Sequence, residues 1–122
     1  MAFRFEQLEV WQKAILFSSK IYSTTQSFPQ QELFSLGNQL RRSANSISAN
    51  IAEGSGSSTK KDFAHYLDIA RKSCYETVSH LFIAKEQKYL SHSIFEDLYS
   101  QAELLSKMIQ SFRLHLLENP LR

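Results

Sequence analysis

Gln39-Leu40-Arg41-Arg42-Ser43-Ala44-Asn45-Ser46-Ile47-Ser48-Ala49-Asn50-Ile51-Ala52-Glu53-Gly54 is the stretch on which the fold turns. Together with Leu33 and Leu36 just upstream, its larger apolar residues Leu40, Ala44, Ile47 and Ile51 recur in steps of three and four, which places them on one face of a helix. The remaining positions are mostly small or polar: Ser43, Ser46, Ser48, Ala49 and Asn50. Small side chains let a second helix approach closely, so the segment reads as a central packed element rather than a solvated outer one.

Composition agrees. A chain of 122 residues supports one domain over residues 1–122, and three glycines with two prolines leave few breakers, which favours long helices and an all-α class. The formal charge is only +2. That value argues against a strongly basic nucleic-acid binder, although residues 41–88 hold eight Lys and Arg against five Asp and Glu, so a local basic patch can form if those side chains converge.

Upstream of the central stretch, Phe3 and Phe5 alternate with polar residues and predict an extended lead-in with both rings tucked onto the domain. A first helix follows from about Leu8 to about Thr25, with one stripe of Leu8, Trp11, Ile15, Ser18 and Tyr22 and a second of Val10, Ala14, Phe17 and Ile21. Pro29 opens a second helix that runs to Glu53, with Gly54 as its left-handed stop. Gly54-Ser55-Gly56-Ser57-Ser58 is then a flexible connection; it lacks the strand and the Gly-Lys-Ser/Thr ending of a nucleotide loop.

Downstream, Thr59-Lys60-Lys61-Asp62 has capping-box spacing and starts a third helix whose core stripe is Phe63, Leu67, Ala70, Cys74, Val78, Leu81 and Ala84. Tyr66, Ile69, Tyr75, Phe82 and Tyr89 lie off that stripe. Ser93-Ile94-Phe95-Glu96 repeats the capping signal before a fourth helix, with Leu98, Ala102, Leu105, Ile109, Phe112 and Leu116 in regular spacing and Glu118-Asn119-Pro120 as its end. Four such helices with short connections predict an antiparallel up-down-up-down bundle crossing in the left-handed sense at about +20°. The first, third and fourth helices each carry more than one apolar stripe, which a lone bundle has no way to bury, so a homo-oligomer is expected.

No enzyme is expected from the residues. A di-metal bundle needs Glu-x-x-His pairs, and none occurs; Asp62 with His65 and Glu76 with His80 read as capping or surface ion pairing. His92 and His115 lack neighbours at metal spacing, so no metal and no cofactor is expected. The single Cys74 reads as a buried small hydrophobe in a reducing compartment. The charged N-terminus is no signal peptide and no stretch reaches membrane-spanning length, so cytoplasmic residence without membrane contact is the expectation.

The polar feature that invites a sharper hypothesis is Arg41-Arg42. Either the pair is tied structurally to carboxylates of a neighbouring helix or subunit, or it joins Lys60, Lys61, Arg71 and Lys72 in gripping phosphates of RNA or DNA. The residues themselves favour the structural role, since the sequence shows no aromatic interleaving of the kind single-strand readers use.

Leu8-Glu9-Val10-Trp11-Gln12-Lys13-Ala14, Phe28-Pro29, Gln39-Leu40-Arg41-Arg42-Ser43-Ala44, Ser46-Ile47-Ser48-Ala49-Asn50-Ile51-Ala52-Glu53-Gly54 and Phe63-Ala64-His65-Tyr66-Leu67-Asp68-Ile69-Ala70 resemble the bacterial four-helix-bundle family named for proteins encoded in intervening sequences of 23S ribosomal RNA genes, the S23 ribosomal protein-like family. The resemblance spans about residues 3–90. It implies a ring-like homopentamer without established catalytic residues. It also extends to accessory proteins of diversity-generating retroelements, which act beside a reverse transcriptase, so that a partner protein of this kind is implied along with RNA or DNA. The chain departs from the family pattern at Ser48, where proline is usual, at Ser57, where a basic residue is frequent, and near Lys72, where glycine is common. Ser57 weakens a phosphate-binding loop, while Lys60, Lys61 and Lys72 stand ready to replace the missing cation. The first reading is thus a non-enzymatic homopentamer that binds RNA or DNA through pooled basic side chains as an accessory to a ribonucleoprotein, and the alternative is a protein–protein scaffold that binds no nucleic acid.

Overall fold

The computed structural model describes residues 2–118. A 3₁₀ turn at Arg4–Gln7 leads into α1 (Glu9–Thr25), a single helical turn α2 (Gln30–Leu33), and then α3 (Leu36–Ser55), α4 (Lys60–Glu86) and α5 (His92–Glu118). The four long helices form the all-α bundle: α1 packs beside α3 and α5, and α4 beside α3 and α5, so each helix touches the ones next to it in the antiparallel chain path. At 27 residues, α4 and α5 each run about 40 Å.

The central stripe lies where the periodicity puts it. Leu36, Leu40, Ala44, Ile47 and Ile51 are all buried, against Val10, Ala14, Phe17 and Ile21 of α1 and Leu67, Ala70, Cys74 and Leu81 of α4. Of the two stripes on α1, this second one is the core; Ile15 and Tyr22 of the first are 41% and 44% exposed. On α4 the half-buried Val78 gives way to Thr77, which is fully buried.

Thr77 belongs to a hydroxyl seam that runs beside the apolar packing between α3 and α4. Thr77 and Ser43 share a hydrogen bond of 2.8 Å, Ser73 and Ser46 one of 2.9 Å, and Asn50 Nδ2 donates to Ser46 Oγ at 3.0 Å. Each buried hydroxyl also reaches a carbonyl of its own helix, as Thr77 does at Ser73 (2.8 Å) and Ser73 at Ile69 (3.1 Å), so the polar atoms are satisfied on both sides. Short side chains joined by these bonds let the two helices approach closely.

Four boundaries differ from the sequence expectation. The second helix is not continuous: it breaks at Phe34 and Ser35, where Asn38 Nδ2 donates to the Phe34 carbonyl and Arg41 Nη2 to the Leu33 carbonyl. Side-chain donors have taken carbonyls that an unbroken helix would have used itself. Gly54 is no left-handed stop either; no glycine among the described residues has positive φ, and α3 runs through Gly54 to Ser55. Gly54 is buried because Phe63 and Tyr66 of α4 pass directly over it. Thr59 does cap α4, accepting a hydrogen bond from the Asp62 N–H at 3.1 Å, but α5 begins earlier than its capping signal, with Ser91 Oγ accepting from the Ile94 N–H at 3.2 Å. The lead-in is a 3₁₀ turn instead of an extended segment, and of its rings Phe5 packs on Trp11 (centroids 4.8 Å apart) while Phe3 stays 64% exposed. The expected helix end at Asn119-Pro120 lies outside the described residues.

The α4–α5 corner closes on a left-handed residue. Lys88 has φ +63°, its N–H donates to the Lys85 carbonyl, and the next N–H, of Tyr89, reaches back to the Ala84 carbonyl. This is a Schellman closure with lysine where glycine is usual.

Candidate functional site

The structure spreads the six candidate cations along the bundle. Thr77 faces Ser43 and Ser73 faces Ser46, so Arg42 stands level with about position 78 of α4. Lys60 and Lys61 open α4 about 27 Å away at the standard helical rise of about 1.5 Å per residue. Arg71 and Lys72 lie between. The six do not converge into one patch.

Arg41 is committed to the fold. Its Nη1 donates to Thr25 Oγ1 at 2.9 Å, its Nη2 to the Leu33 carbonyl at 2.7 Å and to Asn38 Oδ1 at 2.6 Å, and the guanidinium sits 5.9 Å from the Tyr22 ring centroid. It therefore pins the end of α1 and the single turn α2 onto α3. The anticipated carboxylate partners are replaced by neutral oxygens, including a helix-terminal carbonyl that would otherwise go unpaired. Gly37 makes room for this fork, since a Cβ there would stand 3.2 Å from Arg41 Nη1. Arg42, pointing about 100° away, is exposed and makes no ion pair among the described residues. Lys61 is in the same position.

Arg71 and Lys72 converge on a residue that the sequence reading passed over. Asp68 accepts hydrogen bonds from Arg71 Nη2 (2.9 Å) and Nε (3.3 Å), and pairs with Lys72 Nζ at 3.3 Å. Across the helix boundary, Arg113 Nε of α5 approaches the same carboxylate at 3.9 Å and its Nη1 donates to Gln110 at 3.4 Å. The hydrogen bond from Arg71, reinforced by Lys72, holds the Asp68 carboxyl below the usual carboxylate range against the opposing effect of burial. Three cations around one carboxylate leave a local formal charge of +2, as much as the whole chain carries. Asp68 was legible as the i, i+3, i+4 partner of Arg71 and Lys72. Arg113 was not, because nothing local in sequence ties it to α4.

Beside this cluster the α4–α5 groove is open. The Arg71 guanidinium lies 5.6 Å from the centroid of the Tyr75 ring, and Tyr75 in turn lines a cavity of about 350 Å³ with Val78, Tyr99, Ala102, Ser106 and Lys107. Cys74 forms part of its floor; burial pushes that thiol up to about 12, so it remains protonated. A separate apolar opening lies on the α1–α5 seam. Leu16 and Leu104, 65% and 53% exposed, line the same cavity of about 200 Å³. Lys20 and Asp97 bridge this seam with an exposed ion pair of 3.1 Å.

Among the described residues no group of three or more His, Cys, Asp or Glu is placed to hold a metal ion. His80 pairs with Glu76 along α4 at 3.3 Å. No described helix is long and apolar enough to cross a membrane.

Comparison with known proteins adds the following. A crystal structure from Bacteroides thetaiotaomicron, described as a protein of unknown function from the S23 ribosomal protein family, superposes with a TM-score of 0.80 at 27% identity, over 85% of this chain and 97% of that one. No curated protein matches. The family model of the 23S rRNA-intervening sequence protein matches residues 6–111, which takes in the central stripe, the hydroxyl seam and the Asp68, Arg71 and Lys72 members of the cationic cluster, with Arg113 just beyond it. The chain belongs to the 23S rRNA-intervening sequence protein family.

Proposed function

We propose that this chain is a non-catalytic building block that assembles with copies of itself, with the homopentamer as the expected stoichiometry. The observation that carries the reading is the α1–α5 seam, where Leu16 and Leu104 lie exposed beside each other on long, rigid helices. Covering the remaining exposed surface of these two leucines contributes about 1–2 kcal/mol each, whereas leaving them in water forgoes it. A non-catalytic role fits the side chain that would otherwise invite chemistry, since the Cys74 thiol is protonated within the core. A reducing, cytoplasmic setting suits an unpaired buried thiol.

Light scattering coupled to size exclusion tests this at micromolar protein. The expected mass is a multiple of 14.1 kDa, fivefold for the ring. A stable species at the mass of one chain overturns the reading.

A second reading, that the assembly carries RNA or DNA, is favoured by the Asp68 cluster, where Arg71, Lys72 and Arg113 outnumber their single counter-charge. Affinity for a labelled RNA is then expected to fall steeply with added salt as counterions are released. Binding that ignores salt counts against it.

A further inference from the structure

We propose that the α4–α5 groove is a site for a nucleotide unit, with its phosphate on Arg71, Lys72 and Arg113 and its base against Tyr75 and Tyr99. The inference deepens the nucleic-acid reading above and rests on it.

Three features of one groove combine. The first is the cationic end. Asp68 uses both of its oxygens on three cations, which leaves Arg71 and Arg113 with donors uncommitted to any carboxylate, while Lys72 is 70% exposed. The Arg71 and Arg113 side chains are only 24% and 27% exposed, so Asp68 and the helix surfaces already hold them in place. An anion meeting prearranged planar forks costs little further ordering, and guanidinium geometry suits two phosphate oxygens.

The second feature is aromatic. Tyr75 is 64% exposed although it sits one turn from Arg71, and its ring runs from the cation cluster into the cavity where Tyr99 lies. An aromatic ring adjoining fixed cations is the pairing that single-strand binders use, a π-face for a base next to charge for the backbone. Along the sequence these groups are scattered over residues 68–113; the antiparallel packing of α4 on α5 gathers them.

The third is size. About 350 Å³ falls at the lower end of ligand-pocket volumes and matches a planar heterocycle better than a protein helix. Its rim carries Ser106 and the Lys107–Glu103 pair, 3.9 Å apart, which offer donors and acceptors to a base edge.

The nucleotide unit can be a free mononucleotide or one residue of a single strand, and the experiment separates them. Fluorescence anisotropy with a labelled ten-nucleotide single-stranded RNA is measured at low salt for the intact protein and for Tyr75→Ala, Arg113→Gln and Lys61→Gln, with unlabelled AMP as competitor. Tyr75→Ala and Arg113→Gln are each expected to weaken binding by roughly tenfold, and Lys61→Gln, outside the groove, by less than about twofold. Displacement by AMP at millimolar concentration assigns a mononucleotide site; RNA binding that keeps its Tyr75 dependence but ignores AMP assigns a strand site. If RNA binds and Tyr75→Ala leaves the affinity unchanged, this inference is overturned while the nucleic-acid reading stands. If no RNA binds, both fall. Light scattering on Tyr75→Ala completes the test: a change in assembly mass means that a second copy covers the groove, and the nucleotide site is rejected.

Discussion

A single carbon added at Gly54 would stand 2.7 Å from Tyr66 Cβ and 2.8 Å from Phe63 Cδ1, closer than side-chain atoms tolerate. Alanine is the better helix former by about 1 kcal/mol, but the overlap is with a Cβ and an aromatic ring that have no room to turn aside, so the steric cost exceeds the propensity gain. Gly54→Ala is expected to lower stability by about 1–3 kcal/mol, read as a lower urea midpoint. Lys88 is the opposite case. Its positive φ imposes a cost on any residue with a Cβ, and its backbone bonds do not depend on the side chain, so Lys88→Gly is expected to raise stability by about 0.5–1 kcal/mol. The sequence showed that Gly54 mattered but not why, since a glycine that stops a helix and one that admits a neighbouring helix look alike until the neighbour is placed. Lys88 gave no local sign of its conformation at all, because the closure at Tyr89 and Ala84 imposes it.

Between elements, the contact to test is the one at Asp68, which joins α4 to α5 through Arg113. Its carboxyl titrates below its unfolded value, so the unfolded chain binds the proton more readily. The stabilisation is therefore complete above the unfolded carboxylate value of about 3.9 and is lost as pH falls through the lower folded value. Asp68→Asn is expected to cost about 1 kcal/mol at pH 7, a modest figure because the pairs are partly solvated. The gap between the two proteins in urea midpoint should narrow as pH is taken below 4. A gap that stays constant would show that the charge of Asp68 contributes nothing. Periodicity made the long helices legible, since Leu40, Ala44, Ile47 and Ile51 could only face one way, and Thr59 marked the start of α4 by its own chemistry. The break before α3 was hidden because the donors that make it, Asn38 and Arg41, lie downstream and act through tertiary geometry. For the same reason the role of Arg41 as a fastener, and the gathering of Arg71, Lys72 and Arg113, came into view only with the fold.

At the scale of the whole molecule, the two open faces have different chemistry and α5 separates them. Leu104 faces α1 across the seam, and Ser106, two residues on and about 200° around the helix, faces the α4 groove. An assembly built through the seam can therefore leave the groove accessible. Replacing Leu16 and Leu104 together by lysine tests this division, because both side chains are already exposed and the change leaves the bundle core intact. Removing two leucines that the assembly would cover and placing two charges in their stead is expected to weaken association by at least about a hundredfold, enough to reduce the light-scattering mass to 14.1 kDa at micromolar protein. The far-ultraviolet helical signal should be unchanged, since α1 and α5 keep their buried stripes. A single-chain species that still binds RNA would locate binding within one bundle, whereas binding lost with assembly would mean that charge pooled over several copies supplies the affinity. An unchanged mass would remove the α1–α5 seam as the interface and require another apolar surface, such as that around Phe82 and Ile83, to take its place.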